Sequence, residues 1–221
     1  MSNPGARATP PDPPGTTRTP PLRLVFIRHG SSTWNDERRI QGQLDPPLSE
    51  KGKEQARRLA ERLRESQVDA FYSSDLLRAR ETAEAVAGCI GRPFELLPEL
   101  REVALGEWEG LKRDEIVARY PEEWDRWAVR PSWDIVPGGE GTAAFEARVG
   151  AAIELLAERH PTGRVLVVTH GGVIQVALLR IVGRSSNGFF PFTIDNTSLT
   201  VLQGRPGRLV VGSVNDTCHL D

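Results

Sequence analysis

The chain has 221 residues, 26% of them charged, and a formal charge of −2 at pH 7; with both signs interspersed, it offers no basic surface able to track a nucleic-acid backbone. Its two cysteines, Cys89 and Cys218, are too few for a disulfide framework and too far apart for a CxxC pair. No stretch approaches the apolar length of a membrane span, and the opening residues lack the apolar core of a secretion signal, so the expectation is a cytoplasmic protein with neither a membrane nor a nucleic-acid partner.

Residues 1–21 are rich in Pro, Thr and Gly and have almost nothing to bury against the entropy of ordering them, so they read as a disordered arm. Residues 22–221 read as a single domain. The apolar run 22–27 is too short for a helix and ends on a polar cluster, which predicts a buried strand. Beyond a Pro-containing loop, Ser49 can cap a helix with Ala56, Leu59, Ala60 and Leu63 on one face. "VDAFYSS" predicts a second strand, 76–90 a helix, and "PFELL" a third strand. The pattern then loosens over about 105–139, which holds Pro and Gly breaks and four of the five tryptophans; it reads as a lid or insertion with one or two short helices. A long helix is expected at 142–159, a strand at 164–169, a buried helix over "VIQVALLRIVG", and closing strands near 198–203 and 208–214. Strands alternating with helices predict an α/β three-layer sandwich, a mostly parallel central sheet with helices on both faces.

In such a sheet ligands bind beyond the carboxyl ends of the strands. Two of the predicted strands end on a histidine followed by glycine, in "RHG" and "THGG", so parallel neighbours would bring His29 and His170 to one edge. "SSDLLRARETA" delivers Arg78 from the first turn of a helix, and "REVALGEWEG" carries Glu102. Two imidazoles, two guanidiniums (Arg28 and Arg78) and one carboxylate make a poor metal site, because arginine repels a cation. They make a good phosphate site, because guanidinium offers planar paired donors to phosphoryl oxygens. Such a clamp can stabilise the charge of phosphoryl transfer without a metal. One imidazole can attack phosphorus and form a phosphohistidine, with Glu102 the candidate proton donor to the leaving alkoxide.

The blocks "RHGSSTWN", "QGQLDPPLSEKGKEQA", "YSSDLLRARETAE", "LREVALGEWEG" and "VVTHGGVI" together resemble the histidine phosphatase superfamily, with its phosphoglycerate mutase-like fold. The resemblance implies that His29 is the phosphorylated nucleophile. It also implies that Arg28, Arg78 and His170 hold the phosphoryl group, that Asn35 joins them through its amide, and that Glu102 serves as acid and base. Gln41 and Gly42 match a loop that borders the pocket. No metal and no cofactor are implied. The implied partner is a small phosphorylated metabolite, with phosphoserine, glucosyl-3-phosphoglycerate and α-ribazole phosphate among the substrates to consider. His219 lies in a polar tail resembling that of metal-independent phosphoserine phosphatases, where the tail approaches the substrate. Leu105 stands where those enzymes carry a histidine near the substrate.

Within this resemblance a hydrolase is expected rather than a 2,3-bisphosphoglycerate-dependent mutase. The stretch 110–140 is short, its basic residues are matched by acids, and a short lid leaves the phosphohistidine open to water. A non-catalytic binding module would be expected to have lost His29 or Glu102, and both are present. Trp124 and Trp127, at helical spacing, read as lid packing rather than as a substrate-stacking platform. No signal decides the oligomeric state, and a homodimer through an edge strand or the lid stays open.

Overall fold

The computed structural model describes residues 20–186, 188 and 190–221. Apart from Pro20 and Pro21, the arm read at 1–21 falls outside them.

Six strands form one sheet: β1 (Leu22–Arg28), β2 (Ala70–Ser73), β3 (Glu95–Leu96), β4 (Arg164–Thr169), β5 (Leu199–Arg205) and β6 (Arg208–Asp216), in the order β3-β2-β4-β1-β5-β6. The first four run parallel, and β5 and β6 add an antiparallel hairpin beside β1. Alternation along β1 sorts its side chains onto two cores. Leu22, Leu24 and Phe26 join one apolar cluster, and Val25 and Ile27 join the other. Each such side chain is worth about 1.5–3 kcal/mol on burial, so the strand is anchored from both faces and its polar end is held in place.

Helices α2 (Glu50–Leu63) and α3 (Leu77–Ile90) cover the Ile27 face, through Leu59, Ala60 and Leu63 and through Ala79, Ala83 and Val86. Helices α6 (Thr142–Arg159) and α7 (Gly171–Ile181) cover the Phe26 face, through Phe145, Val149 and Ile153 and through Val173 and Ile174. The three-layer α/β sandwich expected from the sequence is the fold. Ser49 caps α2 as expected, its hydroxyl accepting from the Gly52 amide at 3.2 Å. The "PFELL" strand shrinks to the two residues of β3, at an edge where only β2 can pair with it.

The helix after β1 lies on one face and the helix after β4 on the other, while β1 and β4 are neighbours. That reversal opens a crevice at their carboxyl ends. Their register pairs Arg28 with Thr169, so the next residues along, His29 and His170, emerge side by side in it.

Two features add to the sequence reading. A five-residue helix, α1 (Thr33–Glu37), follows β1, closed by a reciprocal cap between Ser32 and Asn35. The segment 105–139, read as a lid or insertion, carries α4 (Arg113–Arg119) and α5 (Pro121–Val129) and buries Trp108, Ile116, Trp133 and Val136 in the main core. No helix among the described residues is long and apolar enough to cross a membrane. Cys89 and Cys218 are not joined.

Candidate active site

The end of β1 delivers Arg28 and His29, and both are pinned by backbone. The His29 amide donates to the Thr169 carbonyl at 2.9 Å, and the Thr197 amide donates to the Arg28 carbonyl at 2.9 Å. Gly30 is required here by a close approach: a Cβ at this position would stand 2.6 Å from the Gly52 carbonyl oxygen at the start of α2. The His29 ring lies with Nδ1 2.7 Å from the Gly30 carbonyl. A carbonyl only accepts, so Nδ1 carries the hydrogen and Nε2 keeps its lone pair. Burial, followed by the charges of Arg78 and Arg28, holds the His29 imidazole well below its usual value. It is therefore neutral, as a nucleophile must be.

His170 caps α7, and its ring sits 5.2 Å from that of His29, centre to centre. Its Nε2 is 2.9 Å from the Ser74 hydroxyl, which comes from the end of β2. Burial, then Arg78 and the His29 ring, also lower its pKa well below the usual value. Arg78, only 1% exposed, reaches in from the first turn of α3. It donates through Nη1 to the Leu44 carbonyl and through Nη2 to the Gly42 carbonyl, each at 2.8 Å. Burial pulls its guanidinium down to about 10, against the raising effect of Glu102, so it stays charged at neutral pH. Arg28 donates to the Ile194 carbonyl at 2.6 Å.

Three buried nitrogens beside His29 have no hydrogen-bond partner among the described residues: Nε of Arg28, Nε of Arg78 and Nδ1 of His170. Burying such groups unpaired costs about 1–3 kcal/mol each, and more when they are charged. Two are cationic donors, and His170 Nδ1 is a third when Nε2 accepts from the Ser74 hydroxyl, so the set matches an anion with several acceptor oxygens.

Glu102 approaches from the loop after β3. Its Oε2 accepts from the Gly172 amide at 3.0 Å, at the start of α7, and its Oε1 accepts from the Val103 amide at 3.0 Å. A Cβ on Gly172 would collide with Glu102 Oε1, which explains the second glycine of "HGG". The Glu102 backbone is held in turn by Arg148 on α6, which donates to the carbonyls of Glu99, Arg101 and Glu102 and pairs with Glu140 at 2.8 Å. Across the cleft, the Glu109 carboxylate accepts from the amides of Gln43 and Leu105 at 2.9 and 2.8 Å, tying the Gly42 loop to the Glu102 loop.

A cavity of about 380 Å³ opens at this point, and Arg28, His29, Gln41, Gly42, Arg78, Glu102 and Leu105 all line it. A wider surface depression of about 830 Å³ beside Arg126, Pro131 and Asp134 contains no histidine. Of the residues the sequence singled out, three do not line the His29 cavity: Asn35, His219 and His170, the last wholly buried beside His29. Asn35 is not among those lining the cavity. Its Oδ1 accepts from the Ser32 amide at 3.0 Å, and its Nδ2 makes no hydrogen bond among the described residues. Ser32 Oγ is in turn 2.8 Å from Gln41 Oε1, so Asn35 braces one wall.

His219 is not among the residues lining the cavity. Arg62 pairs with Asp216 at the end of β6 and contacts His219 Nδ1 at 3.2 Å, while His219 Nε2 is 3.0 Å from the Thr197 hydroxyl. The tail is thus fastened to α2, and His219 lies behind the β1 terminus. Missed by the sequence reading were Ser74, Arg148 and the aromatic wall that faces the histidine. Trp124 and Trp127 do pack on the core, yet both line the cavity together with Trp108, Trp133 and Phe190.

The neutral buried histidines have a measurable consequence. An unfolded imidazole titrates near about 6.5 and the folded values lie lower, so below that pH the unfolded state binds more protons. Their contribution to stability is complete above about 6.5 and is lost as the pH falls through it. Tm is expected to be flat above about 6.5 and to drop below it, with a smaller drop in His29→Gln. Nitrogen-15 NMR should show His29 as the Nδ1–H tautomer. A protonated His29 at pH 6.5 would contradict the geometry.

Comparison with known proteins agrees with the site. Phosphoserine phosphatase 1 of Hydrogenobacter thermophilus is 36% identical over 201 residues, 90% of this chain and 94% of that protein. A metal-independent phosphoserine phosphatase of Arabidopsis thaliana is 38% identical over 200 residues, 89% of this chain and 82% of that protein. The solved structure of YhfR from Bacillus stearothermophilus superimposes with a TM-score of 0.83 at 34% identity, covering 90% of this chain and all of that one. The family model of the histidine phosphatase superfamily (branch 1) matches residues 24–217, a span that includes both strand-end histidines, both arginines and Glu102. Fold and site therefore agree in assigning the chain, which belongs to the histidine phosphatase superfamily (branch 1).

Proposed function

We propose that this chain is a metal-independent phosphomonoester hydrolase working through a phosphohistidine on His29, with a small phosphorylated metabolite as substrate. The observation that carries the reading is the set of three unpaired buried nitrogens, two of them guanidinium donors, around a neutral histidine whose Nε2 lone pair is free. A phosphoryl group seated on Arg28, Arg78 and His170 would present its phosphorus to that nitrogen. The clamp donors then gain strength as charge builds on the phosphoryl oxygens. The Asn35 amide nitrogen is assigned to the same group, with Gln41 and Gly42 bordering it.

In the first step Nε2 attacks phosphorus and the P–N bond forms as the P–O bond to the alcohol breaks. The electron pair leaves on the alcohol oxygen, which takes a proton from Glu102. In the second step Glu102, now a carboxylate, removes a proton from water as that water attacks phosphorus. The P–N bond breaks, its electron pair returns to Nε2, and inorganic phosphate leaves. The two backbone amides that hold the Glu102 carboxylate fix its position for both transfers. Free cysteines and the absence of a spanning helix among the described residues support a cytoplasmic location.

The test is phosphate release in EDTA from phosphoserine, 3-phosphoglycerate, glucosyl-3-phosphoglycerate, α-ribazole phosphate and p-nitrophenyl phosphate. Phosphoserine comes first, because it is named for the Hydrogenobacter and Arabidopsis relatives. Turnover that EDTA leaves unchanged is the expected result. No release from any of them, or interconversion of the phosphoglycerates without net hydrolysis, would contradict the reading.

A further inference from the structure

The half of the cavity away from the phosphate clamp is aromatic. Ring centres run 5.4 Å from Trp108 to Trp127, 5.1 Å from Trp127 to Trp133 and 5.5 Å from Trp133 to Phe190, with Trp124 6.2 Å from Trp108. All five rings line the same cavity of about 380 Å³ as His29. Protein interiors are close-packed and leave few voids larger than a water molecule, so rings that meet one another and still border this much open space form a receptor wall. The remaining lining beyond the clamp includes Ile40, Val103, Leu105 and Ile116.

We propose, on the basis of the hydrolase reading above, that this wall binds the alcohol portion of the substrate and that this portion carries a planar aromatic or heteroaromatic ring. Three observations select a ring over the alternatives. First, the polar side chains lining the cavity beyond the clamp and Glu102 are few, namely Arg39, Gln41 and Arg113. Glu102, the carboxylate lining the cavity, is held by two backbone amides. Arg39 is committed to Glu37, Glu115 and the Gly110 carbonyl. The ammonium of phosphoserine would find no carboxylate there other than Glu102, the proton carrier.

Second, Arg113 lines the cavity with its guanidinium over the Trp124 ring at 5.1 Å, which fixes that indole as a flat surface. Third, Trp108 and Trp133 are only 3% and 4% exposed, and their indole N–H groups have no acceptor among the described residues. Both rings border the cavity while their N–H groups are sealed from solvent, so what they offer a ligand is ring surface. Cavities of a few hundred cubic ångströms lined this way hold small, largely buried ligands. One or two fused rings together with the phosphoryl group match that scale.

The experiment compares phosphate esters of primary alcohols, so that leaving-group chemistry is nearly constant and only the alcohol portion differs: 2-(1-naphthyl)ethyl phosphate, n-octyl phosphate and phosphoserine. The expected result is a kcat/KM for the naphthylethyl ester at least about tenfold above both others, with most of the difference in KM. Trp124→Leu and Trp127→Leu, on the half-buried face of α5, should each lower the ratio of naphthylethyl to octyl turnover. Indole fluorescence should be quenched when the naphthylethyl ester is added to His29→Ala, a readout independent of turnover.

Equal rates for the naphthylethyl and octyl esters would overturn the proposal in favour of a merely apolar cavity. Phosphoserine turned over as well as the naphthylethyl ester would overturn it and leave the hydrolase reading intact. A ratio unchanged in both tryptophan variants would remove the wall from the site. Failure of all three esters and of p-nitrophenyl phosphate would instead bring down the hydrolase reading itself.

Discussion

His29→Ala is expected to lower phosphate release by about 10⁴-fold or more on every substrate, because removal of a covalent nucleophile closes the pathway rather than slowing one step of it. The variant should still bind. Arg28, Arg78 and His170 are held by carbonyls and by Ser74, none of which depends on the His29 side chain. A phosphate ester should therefore raise Tm in His29→Ala as it does in the parent, since anything that binds the native state alone stabilises it. Loss of turnover with retained binding separates chemistry from folding. Retained turnover in His29→Ala would remove the covalent mechanism.

Glu102→Gln tests the proton carrier and should discriminate between leaving groups. An alkyl alcohol leaves as a strongly basic alkoxide and needs the proton, so turnover of alkyl phosphates should fall by about 10²–10⁴-fold. p-Nitrophenol leaves readily as its anion, and its release should fall far less. The substitution keeps the shape of the side chain and one carbonyl oxygen. Glu102, however, accepts from both Gly172 and Val103, and an amide nitrogen cannot accept. One backbone N–H loses its acceptor, at a cost to stability of about 1–3 kcal/mol. A Tm measurement beside the kinetics separates that effect from the chemical one. Equal losses for both substrate types would mean that Glu102 only positions the substrate.

Most of the site was legible because its groups sit at the ends of parallel strands. Strand periodicity together with a polar stop in "RHG" and "THGG" locates His29 and His170 before any coordinates, and the register of β1 against β4 then makes them neighbours. Arg78 was legible as the opening turn of a helix whose inward face is otherwise small and apolar. The place of His219 was not legible because the course of the tail depends on a contact far away in sequence, the pair between Arg62 on α2 and Asp216, which no local pattern encodes. Spacing identified Trp124 and Trp127 as one face of a helix, but periodicity does not say whether that face meets a closed core or an open cavity. Arg148 was invisible for a similar reason, since its partners are backbone carbonyls of residues 99, 101 and 102 and carbonyls carry no sequence signature.

A covalent phosphoryl group on one nitrogen of His29 can be trapped during turnover. Substrate labelled in its phosphoryl group is mixed with the enzyme in EDTA, quenched during turnover in denaturant at alkaline pH, where a phosphohistidine survives, and mapped by tandem mass spectrometry. Label is expected on His29 alone, formed and discharged within the turnover time and absent from His29→Ala. Turnover without any labelled protein, or label on His170 or another residue, would contradict it.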